Sequence, residues 1–131
     1  MPQNFVIIPI YAALLGLLLL ALTTAVVRLR GKHKVGIGDG GHADLALACR
    51  AHANFIEYVP LALILLLLLE YRGVPVWALH GLGAGLFLGR VLHAWGLSRS
   101  QGTSPGRAIG ILLTWISILV PSLWLLVISF T

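Results

Sequence analysis

Long runs of apolar residues are the feature that most restricts how this chain of 131 residues folds. Four runs occupy about residues 5–27, 45–69, 76–97 and 109–130. About 20 helical residues cross a hydrocarbon core of about 30 Å, so each run is long enough for one transmembrane helix. The composition, 59% hydrophobic and 10% charged, is too apolar for an ordinary soluble domain. We therefore predict a single all-α integral membrane domain over residues 1–131, a bundle of four transmembrane helices.

Positive charge is concentrated in the links that follow the first and third runs. The residues concerned are Arg28, Arg30, Lys32, Lys34, Arg99 and Arg107. The link on the opposite side contains Arg72 alone. The positive-inside rule then places both termini away from the cytoplasm. Because no aromatic platform or nucleic-acid module accompanies these cations, we read them as a membrane flank and expect no nucleic-acid partner.

The second run has a polar face. Arg50, Asn54, Glu57 and Tyr58 fall within an arc of roughly 100° on a helix. Burying charge at membrane depth costs about 2.5 to 3.5 kcal/mol per residue, so this face lines either a ligand crevice or a structural network between helices. Arg90, in the antiparallel third run, lies at a depth between Arg50 and Glu57. Glu57 can therefore pair with either arginine and leave the other guanidinium for an anion.

The third run contains a doubled G-x-x-x-G pattern at Gly81, Gly85 and Gly89, which predicts close approach of another helix. Its two histidines, His80 and His93, lie 13 residues apart, or about 20 Å along a helix, so they form no common metal site.

The link at residues 36–41 satisfies G-x-G-x-x-G, but it follows a membrane helix rather than a strand. We interpret it as a flexible link and expect Asp39 or Asp44 to cap the second helix. Cys49, the one cysteine, has no internal partner for a disulfide or a redox pair.

Residues 50–61 read RAHANFIEYVPL. This segment resembles the R-A-x-x-N-x-x-E-Y-x-P-L signature of the MAPEG family, the membrane-associated proteins of eicosanoid and glutathione metabolism. Residues 90–93, RVLH, resemble the family's Arg-x-x-(His or Tyr), and Arg107 follows in the next link. The resemblance implies a homotrimer of four-helix subunits. It also implies that glutathione binds near the cytoplasmic face, between the second helix of one subunit and the third helix of its neighbour.

The same resemblance assigns the site residues for glutathione as co-substrate. Its binding residues would be Arg50, Asn54, Glu57, Tyr58, Arg90 and His93, with Arg28 or Arg30 reaching a carboxylate. Arg107 looks like the family's catalytic arginine, which holds the sulfur as thiolate. A fixed cation favours the charged form of a thiol whose ordinary pKa is about 8.5. Some members have a tyrosine where this chain has Leu97. Its absence favours a bacterial-type member that acts on general electrophiles or lipid hydroperoxides.

We therefore predict a membrane-bound glutathione transferase of a bacterial inner membrane, which conjugates glutathione to small apolar electrophiles arriving from the lipid. Peroxidase activity toward lipid hydroperoxides stays open. The alternative is a non-catalytic MAPEG-like lipid-binding or scaffold protein. A proton-coupled exporter is disfavoured, because Glu57 shares its face with Arg50 and the first run contains no acid.

Overall fold

The computed structural model describes residues 5–99 and 101–131, and four helices account for most of them. The helices are α1 (Ile8–His33), α2 (Ala43–Tyr71), α3 (Val76–Arg99) and α4 (Pro105–Phe130). By length and composition α1, α2 and α4 can each cross a membrane. The α3 helix has 24 residues, about 36 Å, but several of its residues are polar or charged. The predicted all-α bundle of four helices is confirmed.

Successive helices run antiparallel, so the bundle has two ends. We call the end where α1 begins and α2 ends the clamp end, and the end where α2 and α4 begin the cavity end. Aliphatic side chains on all four helices fill the space between the ends, with α3 packed most closely on α4. Leu15, Leu66 and Leu86 are fully buried there, which places the polar groups at either end of an apolar centre.

Both ends of α1 differ from the apolar run that predicted it. The helix continues past the run to His33, because basic side chains in its last turn interact favourably with the helix dipole. The residue after His33, Lys34, is the C-cap of the helix and has a left-handed backbone with φ 56°. The helix bounds are therefore set by backbone hydrogen bonding as well as by hydrophobicity.

The expectation that Asp39 or Asp44 caps α2 is wrong. The N-cap residue is His42, and its side chain makes no capping hydrogen bond. Asp39 instead accepts from the N–H of Gly41 at 2.9 Å within the link. Asp44 lies in the first turn of α2, where its carboxylate is 2.9 Å from His33 Nε2. Asp44 therefore joins the end of α1 to the start of α2.

At the clamp end, Glu70 closes the start of α1. Its carboxylate accepts from the backbone N–H groups of Val6, Ile7 and Ile8 at 2.9, 2.6 and 3.0 Å. These are N–H groups that a helix N-terminus leaves without internal partners, and the helix dipole favours a negative charge beside them. Because the N-cap of α1 makes no side-chain bond, Glu70 supplies the cap from the far end of α2.

Two further contacts join helices at the clamp end. Arg72 donates to the carbonyl of Ile128 at 2.7 Å, near the last turn of α4. The Tyr11 hydroxyl lies 2.8 Å from His80 Nδ1, between α1 and α3. His80 is therefore engaged at the end of α3 opposite to His93.

Close approach of α3 and α4 depends on glycines, and the tightest contact is at Gly89 and Gly110. A Cβ on Gly89 would lie 2.8 Å from Leu113 Cβ, and a Cβ on Gly110 would lie 2.5 Å from the Gly89 carbonyl oxygen. A Cβ on Gly85 would meet Ser117 Oγ at an ordinary 3.8 Å, and one on Gly81 would meet nothing within 4 Å. Within the chain, the doubled G-x-x-x-G pattern thus produces close packing at Gly89.

Candidate functional site

A buried arginine lies where α2, α3 and α4 meet. Arg90 is 1% exposed. Its Nη2 donates to Asn54 Oδ1 at 2.8 Å and lies 3.3 Å from His93 Nδ1, and its Nη1 lies 3.5 Å from Thr114 Oγ1. The guanidinium carbon is also 5.9 Å from the centre of the Phe55 ring. The side chains in direct contact with this cation are therefore neutral.

The set of partners around Arg90 is incomplete. No carboxylate among residues 5–99 and 101–131 forms an ion pair with it. Its Nε is buried and has no hydrogen-bond acceptor in the described part of the chain. An unpaired buried charge is strongly unfavourable, and an unsatisfied buried donor costs about 1 to 3 kcal/mol. Arg90 is therefore a buried cation without an anionic partner among the described residues.

The local sequence explains how Arg90 comes to be buried. Gly89 and Gly110 bring the backbones of α3 and α4 together directly beside it. Thr114, which is fully buried, donates its hydroxyl proton to the Gly110 carbonyl at 2.9 Å. The oxygen lone pairs of Thr114 therefore remain to accept from Arg90. Sequence reasoning did not identify Thr114, because a threonine within an apolar run usually bonds to its own helix.

A cavity of about 310 Å³ opens next to this cluster at the cavity end. We call it the Arg107 cavity. Its lining residues are Asn54, Tyr58, His93, Thr103, Ser104, Arg107, Ala108 and Ile111. Four predicted site residues on three different helices thus line one space: Asn54, Tyr58, His93 and Arg107. Arg90 contacts two of them, Asn54 and His93.

Arg107 is held at the start of α4. Ser104 is the N-cap of this helix, and its hydroxyl oxygen accepts from the Arg107 backbone N–H at 3.3 Å. The Arg107 guanidinium donates to the carbonyls of Gly102 and Gln101 at 2.5 and 3.4 Å. The link before α4 therefore fixes the guanidinium beside the cavity. The S-P-G-R order, an N-cap followed by proline at the first helical position, is the sequence signal for this start.

The Arg50–Glu57 pair lies outside the Arg107 cavity. Arg50 Nη1 is 3.2 Å from Glu57 Oε1, and the two side chains are 59% and 48% exposed. Of the two pairings that the sequence allows for Glu57, the structure has the one with Arg50. Of these two arginines, Arg90 is therefore the one that has no carboxylate partner among the described residues.

The two arginines of α1 occupy different positions. Arg30 donates to the Gly38 carbonyl at 2.9 Å and lies 3.6 Å from Cys49 Sγ. It lines a second cavity, of about 350 Å³, together with Cys49 and Arg50. Arg28 is exposed and lines neither of these cavities. Of the two, Arg30 is therefore the one placed near the polar face of α2.

Comparison with known proteins connects this geometry to a family. The model of the MAPEG family matches residues 8–127. The chain belongs to the MAPEG family. It is 38% identical over 111 residues to "Inner membrane protein YecN" of Escherichia coli strain K12, a match that covers 85% of this chain and 83% of that protein. The protein of the same name in Escherichia coli O6:H1 strain CFT073 matches equally well. No solved structure matches the chain.

Family membership confirms the resemblance carried by residues 50–61 and 90–93. This MAPEG protein is an integral membrane helical bundle, as its apolar helices also indicate. The residues of the signature lie on α2, along the face that carries Asn54 and Tyr58 into the cavity and Arg50 and Glu57 beside it. The name of its relatives states a location and no activity.

Proposed function

We propose that this MAPEG protein is a membrane-bound glutathione transferase. The observation that carries the proposal is Arg90, a buried cation that contacts residues lining the Arg107 cavity. Among the described residues it has no carboxylate partner, and its Nε has no acceptor. Such a site is stabilised by an anion. The family includes glutathione transferases, and glutathione is a peptide with two carboxylates, one ammonium group and one thiol.

The charges around the cavity complement this peptide. Three arginines, Arg50, Arg90 and Arg107, stand against one carboxylate, Glu57, so the region is positive overall. Asn54 and Arg90 bind one peptide carboxylate, and Glu57 binds the ammonium group. Arg30 or Arg50 is available for the second carboxylate. Arginine suits this role because its planar guanidinium donates two parallel hydrogen bonds to a carboxylate.

The reaction follows from Arg107 beside the same cavity. Its guanidinium stabilises the thiolate, and the thiol proton leaves to water at the open mouth. The thiolate sulfur then forms a bond to an electrophilic carbon, and the leaving group departs with its bonding electron pair. Ala108 and Ile111 give the cavity an apolar side, which suits an electrophile that arrives from the lipid.

We also propose a homotrimer in a bacterial inner membrane, with both termini away from the cytoplasm. The exposed Arg50–Glu57 pair supports an oligomer, because charges at membrane depth are costly unless protein or water covers them. The name of the relatives supports the inner membrane. The excess of basic residues in two links supports the orientation.

Turnover with a chromogenic chloronitrobenzene and glutathione, using the protein purified in detergent, tests the proposal. We expect Arg107→Ala to lower kcat about 10-fold or more and to change glutathione affinity much less, because the interaction is made mainly with the ionised sulfur. Arg107→Lys should restore part of the rate.

The wild-type result separates the alternatives. Glutathione binding without turnover against a panel of electrophiles and lipid hydroperoxides would contradict the transferase and favour the non-catalytic lipid-binding or scaffold protein. Absence of both binding and turnover would contradict glutathione chemistry altogether.

A further inference from the structure

Ser104 occupies a fixed position beside Arg107. As the N-cap of α4 it accepts the Arg107 N–H at 3.3 Å, and its side chain lines the Arg107 cavity. The hydroxyl also lies against α3, since a Cβ added to Gly96 would be 2.8 Å from Ser104 Oγ. The capping bond and the tight contact with α3 together restrict where this hydroxyl can be.

The Ser104 hydroxyl retains a proton to donate. Its oxygen uses a lone pair to accept the capping bond, and no residue in the described ranges accepts a hydrogen bond from it. A hydroxyl that already accepts a hydrogen bond becomes a better donor, because hydrogen bonds in a chain polarise one another. The N-terminus of α4 also places partial positive charge at this point. The proton is therefore available to an anion in the cavity.

We propose that the Ser104 hydroxyl donates a hydrogen bond to the glutathione sulfur and shares with Arg107 the stabilisation of the thiolate. This inference rests on the proposed function and makes Ser104 a catalytic residue of it. Leu97, at the position of the tyrosine found in some family members, is 2% exposed and has no hydroxyl. Of the other cavity hydroxyls, Tyr58 is on α2 and Thr103 makes no hydrogen bond to Arg107, whereas Ser104 is bonded to its backbone.

Two substitutions at Ser104 separate the hydroxyl from the helix cap. Ser104→Gly removes the hydroxyl, but glycine is nearly as good an N-cap as serine, so α4 keeps its start. Ser104→Thr keeps both the cap and the hydroxyl. Ser122→Ala is the matched control, because it removes a hydroxyl from the same helix, α4, at a position far from the cavity.

The test is the ultraviolet absorbance of bound glutathione thiolate as a function of pH, together with kcat and KM, on purified full-length protein. For Ser104→Gly we expect thiolate formation to shift to higher pH. We also expect kcat to fall about 10-fold, with KM for glutathione within about twofold, as for the loss of one donor to a developing charge. Ser104→Thr should retain most of the wild-type rate and thiolate titration, and Ser122→Ala should match the wild type in all three measurements.

Two results would overturn the role of Ser104 and leave the proposed function intact: a wild-type titration and rate for Ser104→Gly, or a change in KM alone. Failure of the proposed function has a different signature, because the wild-type protein itself would then form no bound thiolate at any pH near neutrality.

Discussion

At the clamp end the Glu70 carboxylate accepts three backbone N–H groups at the start of α1. At the cavity end the Arg90 guanidinium has, among residues 5–99 and 101–131, no carboxylate partner and one N–H without an acceptor. Glu70 and Asn54, the partner of Arg90, lie 16 residues apart on α2, or about 24 Å. The α2 helix thus carries a carboxylate, Glu70, that accepts three hydrogen bonds. It also contacts a guanidinium, that of Arg90, whose Nε has no acceptor among the described residues. The first arrangement stabilises the fold, and we propose that the second serves to bind an anionic ligand.

The largest effect on stability is expected at the clamp end. Glu70→Ala leaves the N–H groups of Val6, Ile7 and Ile8, at the start of α1, without their acceptor and should lower the free energy of unfolding by about 1 to 3 kcal/mol. Unfolding of the detergent-solubilised protein measures this loss, and glutathione affinity should stay within about twofold because the cavity is distant. A large loss of glutathione affinity in this variant would contradict the separation of the two ends.

Packing beside the cavity gives the next effect. Gly110→Ala places a Cβ 2.5 Å from the Gly89 carbonyl oxygen and 2.6 Å from the His93 N, so α3 and α4 must separate. We expect a loss of about 1 to 3 kcal/mol together with weaker glutathione binding, since His93 and Arg90 move with α3.

Gly81→Ala is the matched control on the same pair of helices, because a Cβ there meets nothing within 4 Å in the subunit. Its unfolding midpoint and its glutathione affinity should both equal those of the wild type. Equal destabilisation by the two substitutions would show that the close contact at Gly110 is not the cause of the loss.

The smallest effect on stability is expected at Glu57. An ion pair as exposed as Arg50–Glu57 contributes about 0 to 1 kcal/mol, so Glu57→Gln should leave the unfolding midpoint nearly unchanged. Glutathione affinity should fall about 10-fold, because the peptide ammonium loses a charged partner. Titration with N-acetylglutathione, whose amino nitrogen carries no positive charge, provides the comparison. A substitution that affects both ligands equally would argue against an ammonium contact.

Much of the fold could be predicted from the sequence, because apolar runs of membrane length leave few alternatives to helices. The polar face of α2 also follows from spacing, which correctly placed Asn54 and Tyr58 together. The helix ends were harder to predict from the sequence. The α1 helix extends through Arg28 and Arg30 by backbone hydrogen bonding, which hydropathy does not reveal.

The remaining features depend on which helices touch. In the sequence, Glu70 is an ordinary charged residue at the end of an apolar run. Its role as the cap of α1 becomes visible only when α1 and α2 lie side by side. In the same way, the choice of Arg50 over Arg90 as the partner of Glu57 depends on how α2 and α3 are rotated. Thr114 and Ser104 acquire their roles through α3, to which no sequence pattern connects them.

The central claim is that Arg90 binds an anionic group of the ligand. Its most direct test is isothermal titration of glutathione into the wild-type protein and into Arg90→Met. Methionine removes the charge but fills much of the same space, so the bundle should keep or raise its unfolding midpoint. We expect the wild type to bind glutathione and Arg90→Met to bind it about 100-fold more weakly. Equal affinity of the two proteins for glutathione, or a sharp loss of stability in Arg90→Met, would show that Arg90 is a structural residue and would contradict the account.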